Sequence, residues 1–382
     1  MKESARNSGP WDLGGLREPP PVTWEVATGP QRSLYYEGAP SGGRPARVFA
    51  YLAVPERRRG KAPAMVLVHG GGGKAFPQWA TQWAQRGYVA LAMDLSGRGP
   101  DGRRLPDGGP ELSDRSALYG IADGPAGSWV YHAVAAVIRA VSLLRAHPEV
   151  DADRIGITGI SWGGYLTCIV AGLDDRLRLA IPVYGCGFLH ENSVWKPMLD
   201  GMPEASRTAW IRNFDPSSYL AQAHLPMLWV AGTNDACYAF DSLQQSYRLA
   251  PGPRTLRVTV NMPHGHAPGM EPLEIPAFAD QHLRRGTPLP QLGEMRRDGR
   301  SVRVAVDSAL PLLSASLHYS PDAIAWDHRR WTSEPATIAD GSVEARLPEE
   351  RPLIFFLTVT DIRGAVVSTE STRSAVCDDS AT

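Results

Sequence analysis

Serine, aspartate and histidine stand in this chain in an order from which acyl transfer could be run. Ser161 lies in Gly159-Ile160-Ser161-Trp162-Gly163, with Gly164 beyond. Ile155, Ile157 and Ile160 before it read as a short buried strand, and from Tyr165 onward the apolar residues take helical spacing. A serine on so tight a strand-to-helix turn adopts strained backbone angles, and glycines on either side remove side chains that would clash. The same turn aims the Trp162 N–H at whatever oxygen Ser161 attacks. Taken alone, the five-residue pattern also fits a glycine-rich turn with a surface serine. A strand before it and a helix after it favour the chemical reading.

A serine hydroxyl is a poor nucleophile without a neighbouring base. Histidine can take its proton near neutral pH and return it to a leaving group, and a carboxylate can fix the imidazole tautomer. Asp235 follows the run Pro226–Ala231 in Gly232-Thr-Asn-Asp235, and His264 and His266 follow Thr255–Val260 in Asn261-Met-Pro-His-Gly-His266. Asp241 competes with Asp235, which is preferred because it comes straight after a strand. His264 is preferred as base for the same reason, with His266 the alternative. A fourth feature, His69-Gly-Gly-Gly-Gly73, follows the apolar run Ala64–His69. Its glycines let a backbone N–H from Gly71 or Gly72 join that of Trp162 in an oxyanion hole. A phosphate loop is excluded there, because Ala75 follows Lys74 and no glycine stands at the required upstream position.

These residues need a frame. Six strand candidates alternate with helices between Ala64 and Val260, which predicts a mostly parallel sheet whose carboxyl strand ends build the site. Val22–Ala27, Ser33–Tyr36 and Arg47–Val54 suit an antiparallel edge, with Glu56–Lys61 as a hairpin-like loop. The glycine-, proline- and charge-rich stretch Ser96–Tyr119 should overhang the site. Cys186–Leu220 interrupts the alternation and reads either as a lid-like insert or as a buried packing pair of helices. Tyr184, Trp195 and Trp210 are the candidates for substrate contact. Residues 1–21 form an N-terminal arm, 22–287 the α/β unit, and 288–382 an antiparallel sandwich. In that last part Val302–Val306, Leu312–His318, Ala325–Trp331, Val343–Leu347 and Leu353–Val359 are the strand candidates. The sandwich is expected to supply no catalytic residue and to act through packing or access.

Composition narrows the function classes. With 382 residues and 43% hydrophobic content, the chain can bury a large core. A formal net charge of -1 gives no electrostatic case for nucleic acid or an anionic membrane. Cys168, Cys186, Cys237 and Cys377 lack zinc-ligand spacing and are expected as free thiols, with no metal and no cofactor. Met1–Pro10 lacks an apolar leader core, and no apolar run is expected to span a bilayer, so a cytoplasmic location is expected.

The arrangement resembles the α/β-hydrolase superfamily from about Val22 to Arg285. More narrowly, it is similar to the dienelactone hydrolase and acetyl xylan esterase-like branch. The carrying stretches are His69–Gly73, Asp94-Leu-Ser-Gly-Arg-Gly99, Asp153-Arg-Ile-Gly-Ile-Thr-Gly-Ile-Ser-Trp-Gly-Gly164 and Gly232–Asp235. Arg154-Ile with the same elbow also occurs in prolyl-oligopeptidase-type peptidases. The resemblance implies a cofactor-independent hydrolase with Ser161, Asp235 and His264 as triad. Dienelactone hydrolases carry cysteine at the elbow, so Ser161 favours an esterase, with a short acyl group such as acetyl and an acetylated carbohydrate among its candidate substrates. A peptidase or amidase on the same triad is the alternative, and a catalytically silent binding protein a third. The added C-terminal sandwich departs from the minimal enzymes of the branch.

Overall fold

The computed structural model describes residues 7–25, 31–57, 59–121, 124–322, 324–349 and 352–374. Cys377 and the end of the Val22–Ala27 candidate lie outside them. A nine-stranded sheet organises the first three quarters of the chain. Its strands are β1 (Val22–Trp24), β2 (Gln31–Ser41), β3 (Arg44–Ala53), β4 (Ala62–Val68), β5 (Val89–Met93), β6 (Val150–Ile160), β7 (Leu179–Val183), β8 (Met227–Gly232) and β9 (Arg254–Thr259). Their spatial order is β1-β2-β3-β5-β4-β6-β7-β8-β9. β1 to β3 pair antiparallel, β3 pairs antiparallel with β5, and every pair from β5 to β9 is parallel. The apolar runs of β4, β5, β7 and β8 are buried along their whole lengths, as strands covered by helices on both faces must be. Residues 56–61 do not form a hairpin: β5 lies between β3 and β4 in the sheet.

The helix Trp129–Ala146 has 18 residues and a mean hydropathy of 1.3, so by length and composition it could cross a membrane. That corrects the expectation that no apolar run reaches such length. In this fold 78% of it is buried, against the sheet and the elbow helix. Its apolarity is that of a core helix.

Beyond the helix Glu274–Arg284, two five-stranded antiparallel sheets follow. One centres on Ser301–Asp307 and Ser342–Arg346, the other on Leu312–Pro321 and Leu353–Asp361. The strand Leu353–Asp361 is buried on both faces rather than alternating. Phe356 explains why: its ring lies 6.3 Å from that of Phe240 in the α/β part, so the face turned away from the sandwich core is covered as well. The expected strand Ala325–Trp331 is not one. Trp326–His328 forms a 3₁₀ turn, and pairing resumes only at Thr332–Pro335. β9, the last strand of the large sheet, is flanked by Val366–Ser368, with the Ser368 hydroxyl accepting from Val258 N–H at 2.8 Å.

Candidate active site

Ser161 sits between β6 and the helix Trp162–Leu173 with φ 60° and ψ −120°, a conformation a non-glycine residue rarely holds. The glycines around it are steric necessities. A Cβ on Gly163 would lie 2.0 Å from the Val68 carbonyl oxygen, and one on Gly159 would lie 2.2 Å from that of Gly163. The helix can therefore start hard against β4 only without side chains at these points.

His264 Nε2 lies 2.9 Å from Ser161 Oγ, and His264 Nδ1 lies 2.7 Å from Asp235 Oδ2. The other carboxylate oxygen of Asp235 accepts the N–H groups of Cys237 at 2.8 Å and Tyr238 at 2.9 Å, which leaves Oδ2 to face the imidazole. Asp235, His264 and Ser161 thus form one hydrogen-bonded line at the carboxyl ends of β8, β9 and β6. Cys237 lies beside the Asp235–His264 pair, and burial holds its thiol up at about 11. Asp241 is elsewhere, in the helix Phe240–Leu249, where both its oxygens accept from the Asn192 amide at 3.0 Å.

His266 does not reach Ser161 in this arrangement. Its Nε2 accepts the Gly70 N–H at 2.9 Å, and its ring packs on Phe76 at 4.9 Å. Burial, with His69 and His264 nearby, pulls its pKa down to about 4, so near neutrality it is a neutral acceptor. The glycine loop is pressed onto the elbow. A Cβ on Gly70 would lie 2.8 Å from Ser161 Cβ, and one on Gly71 would lie 3.2 Å from the Trp162 ring and 3.3 Å from Leu112. Gly73 N–H closes the turn onto the Gly70 carbonyl at 3.0 Å. Among the described residues, the N–H groups of Gly71, Gly72 and Trp162 have no acceptor. For Trp162 that follows from its place as first helical residue.

The expected substrate contacts need correction at two positions. Trp210 is fully buried, its indole donates to the Leu118 carbonyl at 3.0 Å, and it packs between Tyr119 and Phe214. Of that helix only Trp210 and Phe214 are buried, and they turn inward, so Trp210 packs and does not bind. Tyr184 is 1% exposed, donates to the Pro263 carbonyl at 2.9 Å and lies 4.6 Å from the His264 ring. It braces the histidine loop. Trp195 is half-buried between Trp162 at 4.7 Å and Tyr238 at 4.8 Å, beside the site.

Other contributors were not picked out from the sequence. Leu112, from the long 96–120 stretch, reaches the glycine loop, and Phe76 backs His266. Trp326, from the C-terminal part, donates its indole N–H to the Asp235 main-chain carbonyl at 2.8 Å. The Asn234 amide donates to the carbonyls of Arg329 at 2.7 Å and Asp327 at 3.3 Å. No sequence signal marks Trp326, because the partners are 91 positions apart.

The sheet order, the strained serine at the end of β6 and the hydrogen-bonded line to it define a member of the α/β-hydrolase superfamily. The acetyl xylan esterase family matches residues 25–219, just over half of the chain, and the chain belongs to that family. A second family, described as PhoPQ-activated pathogenicity-related protein, matches residues 196–348 and so includes Asp235, His264 and Trp326. The acetyl esterase Axe7A of Xylanibacter ruminicola is 26% identical over 141 residues, covering 35% of this chain and 31% of that protein. The chain spans less than half the length of the curated relatives it matches. Among solved structures, the acetyl xylan esterase from Paenibacillus sp. R4 superposes with TM-score 0.59 at 23% identity, covering 71% of this chain and 92% of that one. Acetyl xylan esterase 1 from Thermoanaerobacterium sp. JW/SL YS485 gives 0.56 at 18% identity, covering 73% and 95%.

Proposed function

We propose that this protein is a serine esterase that removes short acyl groups, acetyl first among them, from small ester substrates such as acetylated carbohydrates. The observation that carries the reading is the unbroken line from Asp235 Oδ2 through His264 to Ser161 Oγ, at 2.7 Å and 2.9 Å, in a chain of the acetyl xylan esterase family.

In this reading His264 takes the Ser161 proton as the hydroxyl attacks the ester carbonyl, and Asp235 holds the imidazole with Nδ1 protonated and stabilises the imidazolium. The oxyanion forms against the N–H of Trp162 and that of Gly71, which lies against the Trp162 ring; each donor is worth about 3 kcal/mol in the transition state. His264 returns the proton to the leaving alcohol oxygen. Water then attacks the acyl-enzyme with His264 again as base, releasing the acid and restoring Ser161. His266 is the anchor of the glycine loop rather than the base, because its acceptor nitrogen is already taken by Gly70. Leu112 and Trp162 lie against the glycine loop and Trp195 packs on Trp162, apolar surface that suits a small acyl group.

The test has two parts. A fluorophosphonate probe should label Ser161 in the native protein, and p-nitrophenyl esters should be hydrolysed with a preference for acetyl over longer chains. Faster turnover of a peptide anilide than of the acetyl ester would move the protein to the amidase reading. Absence of labelling in folded protein would leave a silent scaffold. Release of acetate from acetylated xylo-oligosaccharides, against acetylated glucose, then narrows the physiological ester.

A further inference from the structure

We propose that the C-terminal sandwich belongs to the catalytic apparatus, with Trp326 as the positioning residue that holds the Asp235 turn in register with His264. The inference rests on the hydrolase reading above and adds a residue and a domain to it.

The acid and the base follow β8 and β9, the last two strands of the large sheet. β8 is the second strand from that end of the sheet, and the outer side of β9 is covered by Val366–Ser368 of the sandwich, so the sandwich lies next to both loops. The carboxylate must stay within a fraction of an ångström of the imidazole to act on it. The internal contacts of the turn fix the carboxylate relative to its own backbone: Oδ1 takes the Cys237 and Tyr238 N–H groups. Those contacts move with the turn, so they do not fix it relative to His264.

Two other sets of contacts do. On the β9 side, the Asn261 N–H donates to Thr233 Oγ1 at 3.0 Å, and that hydroxyl donates to Asn234 Oδ1 at 2.6 Å. The Asn234 amide nitrogen is thereby turned toward the sandwich, where the carbonyls of Arg329 and Asp327 accept from it. Trp326 adds the indole bond to the carbonyl of Asp235 itself. Consecutive residues of the acid turn are thus held by one short segment of the sandwich.

That segment is rigidly mounted. Arg329 is 9% exposed and pairs with Asp322 at 3.2 Å, and Asp322 also pairs with Arg373 at 3.0 Å. Trp331 packs edge-on against Phe356 at 5.2 Å, and Phe356 faces Phe240 of the helix that follows the acid turn. The 3₁₀ turn at Trp326–His328, where a strand was expected, is the form the chain takes to bring the indole out of the sandwich and onto the turn.

The experiment uses the full chain. Trp326→Phe keeps the ring and removes the donor, and Asn234→Ala removes the second tie from the other side. Val343→Ala alters the other sandwich sheet, where Val343 is fully buried opposite Val304, without touching the segment or the turn. With p-nitrophenyl acetate as probe, Trp326→Phe and Asn234→Ala should each lower kcat five- to twentyfold with KM changed less than twofold. The far-downfield proton resonance of the His264–Asp235 hydrogen bond should broaden or move upfield in both. Val343→Ala should lower the Tm while leaving kcat of the folded protein and that resonance unchanged. If Trp326→Phe fails to fold, Asn234→Ala carries the same reading alone. Unchanged kcat and resonance in the folded Trp326→Phe and Asn234→Ala variants, or equal loss in Val343→Ala, overturns the positioning role while wild-type labelling of Ser161 keeps the hydrolase reading intact. No labelling of the folded wild type overturns both.

Discussion

Two segments flank Ser161, and they are held in place by opposite means. The glycine loop 70–73 is stripped of side chains, pressed onto the elbow, and tied by a single side-chain acceptor, His266. The acid turn 233–238 carries side chains throughout and is tied by hydrogen bonds from its own backbone, from Asn261 and from a distant sandwich. The difference follows from place. The glycine loop leaves β4 in the middle of the sheet, where crowding does much of the work beside a few short ties, whereas the acid turn leaves a strand near the sheet's edge and carries more polar ties. Close packing can fix a backbone cheaply where atoms surround it; an edge has to import partners.

That contrast is open to attack at several strengths. The largest effect expected is Ser161→Ala, on which both segments converge: esterase turnover should drop by about three orders of magnitude or more with the thermal transition unchanged. A folded variant that retained a tenth of the activity would mean that neither segment serves this serine.

His264→Ala should match that loss. His266→Ala should cost roughly 10- to 100-fold in kcat, less than deleting an oxyanion donor together with its loop, and His266→Gln should recover part of it because its amide oxygen can still accept from Gly70. If His266→Ala proves the more damaging of the two alanine variants, the base has been misassigned and the glycine loop has no histidine anchor.

A smaller effect tests whether the two segments act independently. Both segments are tied to the loop 261–266, the acid turn through Asn261 and the glycine loop through His266, so the kcat losses of Trp326→Phe and His266→Gln multiply in the double variant only where that loop transmits nothing between them. A double variant no worse than its poorer parent would show one coupled element where two are drawn here.

The gentlest effect is on pH. His266 holds its proton only below about 4 in the folded chain, against 6.5 for the free side chain. Between those values the unfolded chain binds the additional proton, so this residue's contribution to stability is present above about 6.5 and is lost as pH falls toward 4. Denaturant titrations across that window should show a shallower decline for His266→Gln than for the wild type; parallel declines would assign the acid sensitivity to other groups.

Much of this was legible before any coordinates. Ser161, Asp235 and His264 each follow a strand legible in the sequence, continuous and apolar for β8 and alternating for β9, and sequence order plus strand ends is all that an α/β sheet needs to bring them together. β7 could be read to the residue, because Leu179–Val183 is a fully buried run bounded by polar positions. Trp210 was misread since an aromatic on a helix has the same appearance whether it lines a pocket or a core; only its indole bond to Leu118 separates the two. Ala325–Trp331 was misread as a strand because its alternating large side chains serve two masters, Trp331 facing Phe356 and Trp326 facing the acid turn. A contact made between parts of the chain so far apart leaves no local period to detect.

The 91-residue separation between Asp235 and Trp326 also has a consequence in time. Chains fold as they leave the ribosome, amino end first. By the point at which β9 and the closing helix have emerged, serine, base and acid are all present, but the tie on the acid is still unsynthesised. A nascent chain at that stage would hold its triad complete in composition and loose in register. Full activity would arrive only once the sandwich segment around Trp326 has been made and has closed on the acid turn.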